Sequence, residues 1–320
     1  MSGLVNYLYG AIYGDSENEQ TTEKITRKYG WKRGVHYDRA EKISFEIKPA
    51  HDTIKVVDLR SKCPPVYDQG HLGSCTANAI GFCYQFDELK QNESSPFVPS
   101  RLFIYYNERN MEGHINQDAG AEIHDGVSSI NHIGVCPEEK WPYDISKFTE
   151  KPTDECYDCA KSHRTVSYKA VNQSISQLKA ALINGFPVVF GFSVYSSFES
   201  PDVAKTGIMP IPKQSEELLG GHAVALVGFD DTRKVFIVRN SWGDSWGDEG
   251  YFYMPYEFIE NPQWASDFWT ITKTLDSGFS LEEHLKNKLK INKIINENII
   301  EKTITPVHNV RRKNRKMKRH

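Results

Sequence analysis

A chain of 320 residues with 39% hydrophobic and 25% charged side chains can bury a substantial core, as one unit or two lobes, and is neither fibrous nor wholly disordered. Its net charge of -3 conceals a split: residues 281–320 carry 12 Lys/Arg against 4 Asp/Glu, formally +8, which leaves the first 280 residues at -11. An acidic body lacks the broad basic face that nucleic-acid binding uses, so any polyanion contact is expected from the tail.

The opening MSGLVNYLYGAIYG has Leu, Tyr and Ile positions that suit a short helix, weakened by its glycines. It shows neither a basic leader nor a cleavage site, so no secretory signal is expected and the expected location is intracellular. Residues 1–53 are expected to form an N-terminal arm, either a short pro-segment that covers a cleft or an integral structural arm. Ile54–Leu59 suits a short strand, and SKCPPVYDQG then breaks regular structure. From Cys75 to Lys90, the residues Ala79, Phe82, Cys83, Phe86 and Leu89 recur three or four apart, which predicts a helix with one buried face. Ser100–Asn110 and Ala121–Ile133 predict two more, and Pro137, Pro142 and Pro152 mark an irregular stretch.

Ser174 with Gln177 has the form of a capping box, opening a helix that Gly185–Phe186–Pro187 ends. Strands are predicted at Val188–Val194, His222–Phe229, Val235–Arg239, Tyr251–Tyr253 and Phe268–Lys273. Residues 54–275 therefore read as one α+β domain, with a helical lobe mainly over 70–165, a strand-rich lobe mainly over 166–275, and a cleft between them. Residues 276–320 form an extension. Its apolar positions from Leu281 to Ile299 suit one or two helices, and the seven Lys/Arg of 311–319 suit either a solvated tail or a polyanion contact. No run is long and apolar enough to predict a membrane span.

The stretch YDQGHLGSCTANA, residues 67–79, is the most informative. Taken alone, Cys75 reads as a core cysteine. At the start of a helix, however, a thiol meets the positive end of the helix dipole, which favours the thiolate. Gln69, folded back through a glycine turn, can donate its side-chain N–H to an oxyanion beside the backbone N–H of Cys75. His222 opens a strand after Gly220 and Gly221, and Asn240 ends the next strand within VRNSWGDSWGDEGY. Neighbouring strands bring the two together, so that His222 takes the thiol proton and returns it to a leaving amine while Asn240 fixes the imidazole. Trp242 can cover that bond.

At these residues the sequence resembles the papain/cathepsin peptidase family, over about Val57 to Lys273. The resemblance implies Cys75 as nucleophile, His222 as base and acid, Asn240 as the orienting residue and Gln69 in the oxyanion hole. It implies a papain-like two-lobe fold, with a helical left lobe and an antiparallel β-barrel-like right lobe. It also implies endopeptidase hydrolysis of protein substrates through a thioester. Leu72 replaces a cysteine common in that family and Thr76 an aromatic, departures that question the usual disulfides and cleft. Within the family, the Asn/Ile/Lys-rich chain is similar to a cathepsin-like proteinase of a giant DNA virus, which would put it in the host cytoplasm or the virion. A catalytically silent binding scaffold is the alternative, and a transglutaminase-like acyl transferase a poorer one.

Cys156 and Cys159 make a CxxC spacing able to hold zinc or a disulfide. There is no second CxxC and no well-spaced histidine, so packing or free thiols lead, and no metal or cofactor is assigned. The segment Ala265–Ser266–Asp267 is expected to line a pocket for a substrate side chain, beside Gly220 and Gly221.

Overall fold

In the computed structural model, which describes residues 27–48, 51, 53–91, 96–165 and 167–272, the arm begins as an extended strip. It continues through α1 (His36–Arg39) into β1 (Lys42–Ile43), which pairs in parallel with β3 (Ser167–Val171). Tyr37 and Phe45 are buried in the core, and the Tyr37 hydroxyl donates to Val171 O at 2.6 Å. The second half of the arm is therefore built into the body. The helix considered for residues 1–14 and those considered for 281–299 lie outside the described residues.

β2 (Val56–Asp58) precedes the glycine-rich turn, and α2 (Cys75–Lys90) has the expected bounds. Its burial differs from expectation: every residue from Cys75 to Glu88 is buried, not one face. The reason is packing on all sides, by α3 (Arg101–Met111) and α4 (Ile123–His132) and by the sheet. Ser100 caps α3 by accepting from the Phe103 N–H at 3.1 Å. The proline-marked stretch holds a helix that periodicity missed, α5 (Asp154–Ala160), capped by Thr153.

α6 (Ile175–Ile183) uses half of its capping box. Ser174 accepts from the Gln177 N–H at 3.3 Å, but the Gln177 side chain bonds the backbone of Phe45, accepting at 2.7 Å and donating at 3.2 Å. The other half of the motif thus holds the arm. There follow β4 (Val188–Tyr195), α7 (Pro201–Thr206), β5 (Leu218–Asp230), β6 (Val235–Arg239), β7 (Tyr251–Pro255), α8 (Tyr256–Glu260) and β8 (Ala265–Thr272).

The strands form one sheet in the order β1-β3-β8-β4-β5-β6-β7, with β2 added to β5. Apart from the β1–β3 pair it is antiparallel, and among the described strands it stays open, so the barrel-like lobe is corrected to an open, twisted sheet. β5 is long because β4 pairs its first part while β2 and β6 pair its second. The β5–β6 register sets Ala225 opposite Arg239, which brings His222 and Asn240 side by side at one end of the sheet. Among the described residues no helix is long and apolar enough to cross a membrane.

Candidate active site

Cys75 is the first residue of α2, and Gln69 lies in the turn before it. His222 stands on β5, and Asn240 follows the last residue of β6. His222 Nε2 and Asn240 Oδ1 are 2.8 Å apart, so the ring donates to the amide oxygen. Trp242 stacks on the imidazole, with centroids 5.0 Å apart and planes at 27°. That leaves His222 Nδ1 buried without a hydrogen-bond partner among the described residues. The backbone N–H groups of Ala223, the neighbour of His222, and of Gly30 and Thr76 act on the Cys75 thiol in the direction that favours its ionised form. Gln69 is held by its backbone N–H to Ser241 O at 2.9 Å and by the Ser241 hydroxyl to its Oε1 at 2.6 Å. The four residues singled out in the sequence are thus gathered around one end of α2.

Sequence reasoning offered an arm that covers a cleft but did not single out the residues that do so. Residues 27–33 run through the cleft, and Cys75, Gln69 and His222 are completely buried. Arg27 lies over Trp242 at 5.0 Å, and Tyr29 meets the His222 ring edge-on at 6.0 Å. Gln69 Nε2 donates to Lys28 O at 3.3 Å, so an arm carbonyl sits on the expected oxyanion donor. Gly30 O accepts from Ala121 N at 2.8 Å, Trp31 N donates to Gly221 O at 2.9 Å, and Lys32 N donates to Ala121 O at 3.0 Å. Salt bridges Lys28–Asp118 and Lys32–Glu112, at 2.9 and 2.6 Å, flank the strip.

Two glycines make this fit. A Cβ on Gly30 would come within 1.7 Å of Gly73 O, and one on Gly191 within 1.9 Å of the Trp31 ring. The indole of Trp31 fills the recess beside Gly191 and Gly221 and donates to Asp267 Oδ2 at 3.1 Å. Asp267 is buried at a φ of 69°, a conformation that L residues rarely adopt, and also accepts from the Trp269 indole at 2.5 Å. The signal in the sequence was the segment Tyr29–Gly30–Trp31 flanked by Lys and Arg, two large rings around a residue without a side chain.

Electrostatics follow from the cover. Burial pushes the Cys75 thiol up to about 11 and the His222 imidazole down to about 4. The helix dipole was expected to favour thiolate, but with the arm in place burial outweighs it. With the thiol raised and the imidazole lowered, both groups are neutral near pH 7 in the covered protein. Behind Cys75, Thr76 donates to the fully buried Glu108 at 2.6 Å, and burial raises that carboxyl well above its usual range. Any charge on Glu108 acts against the thiolate, pushing the Cys75 thiol further up. Leu72 and Thr76, the two departures noted above, are both buried in ordinary packing.

Residues 53–266 match a family model described as papain family cysteine protease. An uncharacterized peptidase C1-like protein of Acanthamoeba polyphaga mimivirus is 48% identical over 280 residues, covering 80% of this chain and 90% of its own. The structure of xylellain, a cysteine protease from Xylella fastidiosa, matches with a TM-score of 0.70 and 42% identity, over 78% of this chain and 98% of that one. A procathepsin B from Trypanosoma congolense shares the fold, with a TM-score of 0.60 and 16% identity over 78% of this chain and 87% of that one.

Proposed function

The chain belongs to the papain family of cysteine proteases, and on that premise we propose that it is a thiol endopeptidase kept latent by its own N-terminal arm. It is a cysteine peptidase, a hydrolase of peptide bonds. The observation that carries the site assignment is the orientation of His222, whose Nε2 is bound to Asn240 while Nδ1 is left for a proton. Nδ1 takes the proton of Cys75, and the thiolate attacks the carbonyl carbon. Gln69 and the Cys75 backbone N–H stabilise the oxyanion. The imidazolium then protonates the leaving amine, giving a thioester that water hydrolyses with His222 again as base.

The path of residues 27–33 supports cleavage within chains. The strip enters beside Trp242 and leaves beside Glu112 and Pro262, so the cleft accepts polypeptide on both sides of Cys75. The same strip supports latency. Lys28 O takes a hydrogen bond from Gln69 Nε2, and Gly30 packs against Gly73, so the strip lies where a substrate would pass. The recess filled by Trp31 supports a preference for a large aromatic substrate side chain, with Asp267 at its end.

The test is labelling by a peptidyl electrophile directed at thiols, after removal of residues 1–34. Wild-type protein is expected to be labelled at Cys75 and to hydrolyse peptide. The Cys75→Ala protein should do neither; labelling elsewhere with full hydrolysis defeats the assignment.

The basic tail lies outside the described residues, and we assign it a contact with polyanions, the DNA-virus relative making nucleic acid the one to test. Truncating residues 311–320 is expected to abolish duplex binding at low salt and leave turnover of a neutral peptide unchanged. Unchanged duplex binding removes the assignment.

A further inference from the structure

One histidine of the arm meets a ready cluster on the body. His36 opens α1, while His124 and Asp125 lie in the first turn of α4 and Glu122 precedes it. The rings of His36 and His124 stack at 4.1 Å with planes 13° apart. His36 Nδ1 is 3.0 Å from Glu122 Oε2, and His124 Nδ1 is 3.2 Å from Asp125 Oδ1. One ligand atom each from His36, His124 and Asp125 lies within 4.8 Å of the others.

We propose that a divalent transition-metal ion of the zinc class, held by His36, His124 and Asp125, pins the arm to the peptidase body. Two imidazoles and a carboxylate are a donor set that suits zinc, and such a site needs ligand atoms about 3–4 Å apart. The body half is already fixed. The His124 ring is set between Tyr168 and Trp269, at 6.0 and 5.6 Å, and Asp125 is bonded to it. His36 is exposed, so its ring can turn to close the remaining gap. Glu122 can then orient His36 through the other ring nitrogen, as carboxylates do for metal-bound histidines. Arg39 and Lys169 line the same shallow pocket, but Glu122 and Asp125 stand nearest the imidazoles.

The consequence for latency rests on the reading of residues 27–33 as a cover; the binding itself does not. Metal held jointly by arm and body stabilises the docked arm by an amount that grows with the logarithm of free metal above its Kd.

The test uses full-length Cys75→Ala protein, which lacks the active-site thiol; the partly exposed Cys63 and Cys159 remain, so the histidine substitutions assign the site. Cobalt titration followed by visible absorption, and zinc content after dialysis, should both give stoichiometric binding. His36→Ala and His124→Gln should each weaken it by about tenfold or more. Zinc should also slow proteolysis of the arm, and not in His36→Ala. No saturable binding at millimolar metal, or binding untouched by both substitutions, overturns the proposal. Cys75 labelling of the metal-free protein with and without its arm tests the cover separately, so the two ideas fail independently.

Discussion

Removing residues 1–34 is expected to raise the rate of Cys75 labelling by about 100-fold or more, because burial of Trp31 and Tyr29 must be undone whenever the intact protein opens. Burying a large apolar side chain is worth about 1.5–3 kcal/mol. Trp31 is 9% exposed, adds the bond to Asp267, and Tyr29 packs against His222 and bonds to Glu199. Trp31→Ala in the full chain should release most of the same effect. A cut at residue 53 should behave differently. It also deletes β1 and the buried Tyr37 and Phe45, and losing a buried aromatic ring costs about 3–5 kcal/mol, against a typical total stability of about 5–15 kcal/mol. That protein is expected to melt far lower or fail to fold. Stopped-flow labelling and a thermal melt read the two cuts, and equal labelling rates with and without residues 1–34 would end the latency reading.

The same opening moves a proton without taking one from solvent. The covered pair holds one proton on sulfur; the active pair holds one on the imidazole. The titration of Cys75 and His222 is therefore coupled, and across the range where the active pair stays zwitterionic its formation does not by itself make arm release depend on pH.

What could be read from the sequence divides along the range of the interactions. The grouping of Cys75, Gln69, His222 and Asn240 could be suggested from local events, a helix start, a glycine turn and a strand end, although β5 begins at Leu218 and His222 lies within it. The bounds of α2 and β6 followed from local periodicity for the same reason. The docking of Trp31 on Asp267 joins residues 236 apart, so the local Tyr29–Gly30–Trp31 segment marks a docking element without recording its partner. Tertiary demand also redirected a correct local reading. Gln177 was expected to close a capping box on Ser174, but the bare backbone of Phe45 offered it both a donor and an acceptor. The open sheet arose likewise, since closure depends on the pairing of distant edges and not on the alternation within any strand.

In protein freed of residues 1–34, His222→Ala is expected to lower acylation by about a thousandfold or more, as it removes both the acceptor of the thiol proton and the donor to the leaving amine. Gln69→Ala should cost about 3 kcal/mol of transition-state stabilisation, roughly a hundredfold, if its amide donates to the oxyanion. That variant alone is ambiguous, since Gln69 also accepts from Ser241, the neighbour of Asn240, and its loss can loosen the histidine's support. Gln69→Glu keeps an acceptor for Ser241 and removes the amide donor. It does so at the cost of a carboxyl in a buried position and the lost bond to Leu72 O, so its melting temperature is read beside its rate. Single-turnover kinetics with a chromogenic peptide should therefore show Gln69→Glu at least as slow in acylation as Gln69→Ala. If Gln69→Glu acylates at the wild-type rate, the side chain is a brace for the Asn240 loop and the oxyanion is stabilised elsewhere. If His222→Ala does so, the proton leaves Cys75 by another route and the pairing of Cys75 with His222 is wrong.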